Sequence, residues 1–236
     1  MGGTGPMSDN TLGTRIERHV AGVFGPDTGR AAVTFLGTEQ IEILRYGPDR
    51  AGIVRYLTLG MSREPMTAAA ATVRDPAGPR AELVLSLRGP HDSVLRRLAV
   101  LAAIPVVESR PIAPGAALDL GEPLWDGAPF TAVLVAEPGG LIPDLPTAAQ
   151  PSAATDEFSI SDLLASPDAA IGFDPGSGGG SASDPGPAPV RFLPLLPMTM
   201  NEAAYKRVHG PDALHQRWLA AGTDLRDPAR REVSLS

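Results

Sequence analysis

RAELVLSLR, residues 80–88, decides how the rest of the chain is read. Ala81, Leu83, Leu85 and Leu87 recur at every second position, the period that sends side chains to one face of a strand. Arg80, Glu82, Ser86 and Arg88 fall on the other face, and Val84 alone breaks the alternation. The pattern predicts a strand with one face on a core and the other toward water, as antiparallel and mixed sheets have. On its N-terminal side, residues 53–59 (IVRYLTL) are β-rich and stop at Gly60, and Ile41 and Ile43 alternate around Glu42. Earlier still, Ile16, Val20, Val23 and Phe24 share one helical face. Thr14 and Glu17 have the spacing of a capping box for that helix, and Gly25-Pro26 stops it.

On the C-terminal side, Asp92 or Ser93 caps a helix carrying Val94, Leu95, Leu98, Leu101 and Ala102, with Pro105 as its expected end. FTAVLVAEP (130–138) is apolar on both faces and reads as a central strand. VRFLPLLP (190–197) is another strand, whose internal Pro194 predicts an early end or an edge position. Thr199 and Glu202 form a second capping box, and Gly210 closes that helix. Pro211 opens a last helix with Leu214 and Trp218 four residues apart, ended by Gly222. This order predicts one α+β domain: a mixed, mostly antiparallel sheet flanked by helices.

The 236 residues include 26 Gly and 25 Pro, and ten of them crowd into residues 172–189. Residues 111–190 carry eleven acidic side chains and no basic one, so the net charge of −7 arises there. Residues 1–10 therefore read as a disordered tail, and residues 11–236 as a domain interrupted by an acidic Gly/Pro-rich insert at about 139–189. Lys206 is the only lysine, and without a basic patch nucleic acid is a poor partner. No apolar run reaches the length of a membrane span, and MGGTGPMSDN lacks the plan of a signal peptide, so the expected location is cytoplasmic.

Candidate chemistry is sparse. The chain has no Cys, which removes disulfides and thiolates. Its four histidines, His19, His91, His209 and His215, form no HExxH pattern, and neither metal nor cofactor is expected. Gly60-Met61-Ser62 resembles half of a nucleophile elbow, but Glu64 stands where the tight turn needs a small residue. Trp125, the conspicuous loop aromatic, reads as a core plug first and an interface anchor second. Ile160, Leu163 and Leu164 could form one amphipathic turn inside the insert and dock on the body.

TLGMSREPM (58–66), RAELVLSLR (80–88), LAAIP (101–105), FTAVLVAEP (130–138) and VRFLPLLPMTMNEA (190–203) stand in an order that resembles the suppressor-of-fused domain family, in its bacterial single-domain type. The GPDAL helix start follows them. The resemblance implies an α+β domain without catalytic activity that binds another protein. In animals the family restrains a Hedgehog-pathway transcription factor by gripping an extended peptide against strand edges. That grip also uses a second domain, for which 236 residues leave no room. Many bacterial relatives look like immunity proteins that neutralise a toxin of a polymorphic toxin system, and nineteen Arg to one Lys suggest a GC-rich bacterial genome.

By the same resemblance, Ile104 matches an aromatic contact position. Gly115 belongs to a loop where the family commonly has Gly followed by Asp or His; here Ala116 and Ala117 follow. Ile104, Gly115 and Trp125 are thus the expected partner-binding residues. The expected function is a non-catalytic immunity protein for a cognate toxin. The alternatives are a regulatory module binding a peptide of another protein, and a small serine hydrolase using Ser62 with His91 or His209.

Overall fold

A computed structural model describes residues 11–35, 39–67, 71, 75–147 and 188–235. Along the chain run α1 (Leu12–Phe24), β1 (Gly29–Val33), β2 (Ile41–Tyr46), β3 (Ile53–Leu59), β4 (Arg80–Arg88) and α2 (Val94–Val107). Then follow β5 (Ala117–Asp119), β6 (Ala132–Val135), β7 (Val190–Met198), α3 (Met200–His209) and α4 (Pro211–Ala220). The strands form one sheet in the order β1-β2-β3-β4-β7-β6-β5. Only β4 and β7 pair in parallel; the other neighbours are antiparallel. The mixed, mostly antiparallel α+β sheet expected from the sequence is the fold observed.

Both faces of this sheet are covered. Ala81, Leu83, Leu85 and Leu87 share one core with Val54, Tyr56, Val133 and Leu195, beneath Leu98, Leu101 and Ala102 of α2. On the opposite face Val84, Leu57 and Phe192 meet Ile16 and Val20 of α1. Farther along that face Leu134 and Met198 meet Ala203, Leu214 and Trp218 of α3 and α4. Val84, the exception to the alternation, is therefore part of a second core. Burying a side chain of this size contributes roughly 1.5–3 kcal/mol. The expectation that Glu82 faces water is overturned for the same reason: it is fully buried.

Several local expectations change. The first helix starts earlier: Thr11 is its cap and accepts from the Thr14 N–H, so Thr14 and Glu17 are not the capping pair. The second capping box is present as read, with Thr199 and Glu202 each accepting from the other's backbone N–H. Pro105 lies inside α2, which runs two residues past it and ends where Ser109 turns to φ +48°. A proline in the last turn sacrifices one hydrogen bond without breaking what precedes it.

β7 is neither short nor at an edge: it runs nine residues between β4 and β6. Pro194 is tolerated because its backbone groups face the end of β6, where its carbonyl accepts from Ala136 N–H at 2.8 Å. Its missing N–H costs no bond to β4. β1 and β5 have no counterpart in the sequence reading; GRAAV and ALD are too small or too short to show a period.

The insert expected from about residue 139 begins within ordered packing. Ile142 and Leu145 are buried against α1 and β7, and Leu145 and Val190 exchange both backbone hydrogen bonds. Arg15 donates to the Thr147 and Pro146 carbonyls, and the Thr147 hydroxyl to the Ala188 carbonyl. The chain thus leaves and returns at one point. Replacing residues 148–187 by a short Gly-Ser bridge is expected to preserve cooperative unfolding with a Tm no lower than the parent's, measured by thermal circular dichroism. Shortening such a closure changes its entropy by only about 0.6 kcal/mol per halving. Ile160, Leu163 and Leu164 lie outside the described residues.

The C-terminal segment is fastened to the sheet through β4. Arg88 N–H donates to the Arg226 carbonyl, and the Arg88 guanidinium bonds Asp224 at 2.6 Å. The Arg226 and Arg88 side chains hold the Asp224 carboxyl well below the usual carboxylate range.

Candidate functional site

Two buried carboxylates and one open groove carry the polar chemistry of the described residues. Beyond the Leu57–Val84 pair, the β3–β4 ladder opens and the Glu82 carboxylate fills the gap. Its Oε1 accepts from Gly60 N–H at 2.9 Å, Ser62 N–H at 3.0 Å and the Ser62 hydroxyl at 2.7 Å. Its Oε2 accepts from the Thr58 hydroxyl at 2.6 Å, and Thr58 Oγ1 in turn accepts from Leu83 N–H. Gly60, at φ +126°, lets the chain turn tightly enough to aim those donors inward. Burial pushes the Glu82 carboxyl up, against the downward pull of the four hydrogen bonds.

Ser62 is therefore a structural residue of this turn. It is 1% exposed, and its hydroxyl proton is directed at Glu82, not at an imidazole. His91 instead lies tilted against Trp125, and His209 lies against Tyr205 on α3. Among the described residues no group of three His, Cys, Asp or Glu could hold a metal ion. No described helix is long and apolar enough to cross a membrane.

The open site lies at the other end of the sheet. Among the described residues β5 is one of the two terminal strands of the sheet, bonded to β6 on one side only. The loop before it is zipped onto β6: Gly115 N–H donates to the Val135 carbonyl at 2.8 Å, and Val135 N–H to Ala116 at 2.9 Å. Gly115 adopts φ +82°, a conformation that a side chain would strain. Between this loop, the β6 end and the first turns of α4 runs a groove of about 530 Å³. Pro114, Leu134, Val135, Leu196 and Pro211 make its apolar floor, while Glu137, Asp212, His215 and Gln216 supply polar groups.

Of the residues expected to bind a partner, only Gly115 lines this groove. Ile104 is turned into the core beneath α2. Trp125 is 4% exposed, with Phe130 at 5.5 Å and His91 at 5.4 Å, so the core-plug reading describes it. Sequence reasoning missed Glu137, Asp212 and His215, which come from two elements some 75 positions apart; only the Pro211 helix start hinted at them.

Residues 37–231 match the family model described as Suppressor of fused protein (SUFU). The chain belongs to the suppressor of fused family. Its fold is similar to that of a SUFU homolog from Neisseria gonorrhoeae, at TM-score 0.57 and 15% identity over 93% of this chain and 95% of that one. A chain of a Sufu–Fu complex aligns at TM-score 0.52 and 13% identity, covering 92% and 90%. Drosophila Suppressor of Fused aligns at TM-score 0.51 and 13% identity over 92% of this chain, which spans 50% of that protein. No curated protein matches the sequence. At such identities the likeness is one of fold. Within the suppressor of fused fold, Ala116 and Ala117 leave the loop uncharged, and the carboxylates that line the groove are Asp212 and Glu137, the latter paired with Arg191 at 2.9 Å.

Proposed function

We propose that this chain is a non-catalytic protein-binding domain that receives a segment of another protein along β5 and in the adjoining groove. The observation that carries the reading is a strand edge at β5 left open on one side among the described residues, together with a groove at the β6 end lined by both apolar and acidic side chains. Free edge N–H and C=O groups supply affinity for an added strand, and the pocket beside them supplies selectivity. Family membership supports protein binding as the activity, and one fold neighbour is a complex of Sufu with Fu.

The finer reading is immunity: the domain neutralises a cognate toxin in the cytoplasm of a bacterium. An acidic surface speeds encounter with a basic toxin cleft and makes that encounter sensitive to salt. Affinity capture with the full chain as bait is expected to retain one toxin, and co-expression with that toxin to restore growth. Reversing the groove charge with Glu137→Lys and Asp212→Lys is expected to weaken capture at least about tenfold, some 1.4 kcal/mol. Unchanged capture would remove the groove from the interface. Capture of a non-toxic protein through the same groove would leave the regulatory alternative in place of immunity.

A further inference from the structure

α3 is amphipathic in an unusual way, with apolar groups on its outer face as well as its inner one. Glu202 and Ala203 point inward and are buried. Met200, Ala204 and Val208 recur every fourth residue on the outside, and Met200 and Val208, at 73% and 75%, are the most exposed large hydrophobics among the described residues. Such an i, i+4, i+8 row is the ridge that packs one helix into another. The charges at its ends are opposite. At the N-terminal end Glu232 accepts from the Thr199 hydroxyl at 2.8 Å and from Asn201 Nδ2 at 3.1 Å. At the C-terminal end stand Lys206, Arg207 and His209.

A surface with acid at one end, base at the other and its smallest residue in the middle is complementary to itself when turned end for end. We propose that the outer face of α3 pairs with the same face of a second copy about a two-fold axis passing through Ala204. The small side chain lets the helices approach, Met200 of one copy lies over Val208 of the other, and Arg207 faces Glu232. The antiparallel arrangement also sets opposite helix-dipole ends together. Two ten-residue helices crossing once bury well under the roughly 1,200 Å² of a stable interface, so the dimer is weak and concentration-dependent. The groove at β5 belongs to other elements and has no part in it.

Sedimentation equilibrium of the full chain between about 10 µM and about 1 mM is expected to show a reversible monomer–dimer equilibrium. Raising salt from about 0.05 to 0.5 M is expected to weaken it several-fold as the end charges are screened. Ala204→Lys, a helix-compatible change at an exposed site, is expected to weaken dimerisation at least tenfold with an unaltered Tm. Because the chain has no cysteine, Ala204→Cys gives one thiol per copy. Thiols on the axis come within disulfide reach, so mild oxidation is expected to yield a covalent dimer, while Arg18→Cys on α1 yields none. A monomer at every concentration, or a dimer indifferent to Ala204→Lys, would overturn the proposal. So would equal cross-linking at both cysteine positions.

Discussion

Glu82→Ala is expected to lower the stability of the domain by at least about 3 kcal/mol, because it strands two backbone N–H groups and two hydroxyls in a dry interior. Each buried donor left without an acceptor costs roughly 1–3 kcal/mol, and hydroxyls that rotate toward other acceptors recover only part of that. In a domain of this size the loss corresponds to a fall in Tm of roughly 6–12 °C. Glu82→Gln keeps the shape and one carbonyl oxygen for the Gly60–Ser62 turn, and is expected to cost less than half as much.

The two variants also differ in their response to pH. The folded-state pKa of Glu82 is raised by burial, so between its unfolded value and its folded value the native state holds a proton that the unfolded state has released. Its contribution is fully present below the unfolded pKa and is lost as pH rises through the folded one. Stability of Glu82→Gln relative to the parent is therefore expected to increase as pH rises from about 4.5. Urea titrations at several pH values check this; a parallel pH dependence of parent and variant would show that Glu82 titrates in the native state as it does in the unfolded chain.

The second large effect is centred on Arg230. Its guanidinium meets the Glu202 carboxylate with two bonds, at 2.8 and 2.7 Å, and donates to the Pro197 carbonyl. The side chains of this pair are 4% and 0% exposed. Arg230 also lies over the Phe130 ring at 4.6 Å, while Trp218 Nε1–H donates to Glu202 at 3.0 Å. Burial acts to raise the Glu202 carboxyl, but Arg230, Thr199 and Trp218 together hold it below its ordinary value. Arg230→Ala leaves that carboxylate buried and unpaired, and is expected to cost about 3–5 kcal/mol and to release the C-terminal segment.

Arg230→Met combined with Glu202→Gln removes both charges and is expected to recover most of that loss. The double-mutant cycle, read by urea unfolding with Trp218 as reporter, gives the coupling directly. A cost below about 1 kcal/mol for Arg230→Ala would mean that the C-terminal segment contributes little to the fold.

Elements with a local signature were legible in the sequence. The Thr199–Glu202 capping box and the Pro211 helix start depend on residues three or four apart, and they stand as read. Side-chain alternation in residues 80–88 correctly separated the two faces of β4. It could not say whether the second face was covered, because a two-residue period is the same beneath a helix as beneath water. That is why Glu82 was misread, and Val84 was the one residue that signalled otherwise.

Pro194 misled for a related reason: the rule about proline in sheets depends on which neighbour its nitrogen faces, a fact of topology. Arg230 gave no sign at all, since arginine is ordinarily a surface residue. The groove was invisible because Gly115, Val135 and His215 come together only when β5, β6 and α4 assemble.

Hydrogen–deuterium exchange of the full chain, free and with its captured partner, locates the binding surface. Exchange is expected to slow at residues 115–119, in β5 and the loop before it, and at residues 134–137 and 211–216 around the groove. Protection confined to other surfaces, with β5 and the groove exchanging as in the free chain, would contradict that expectation.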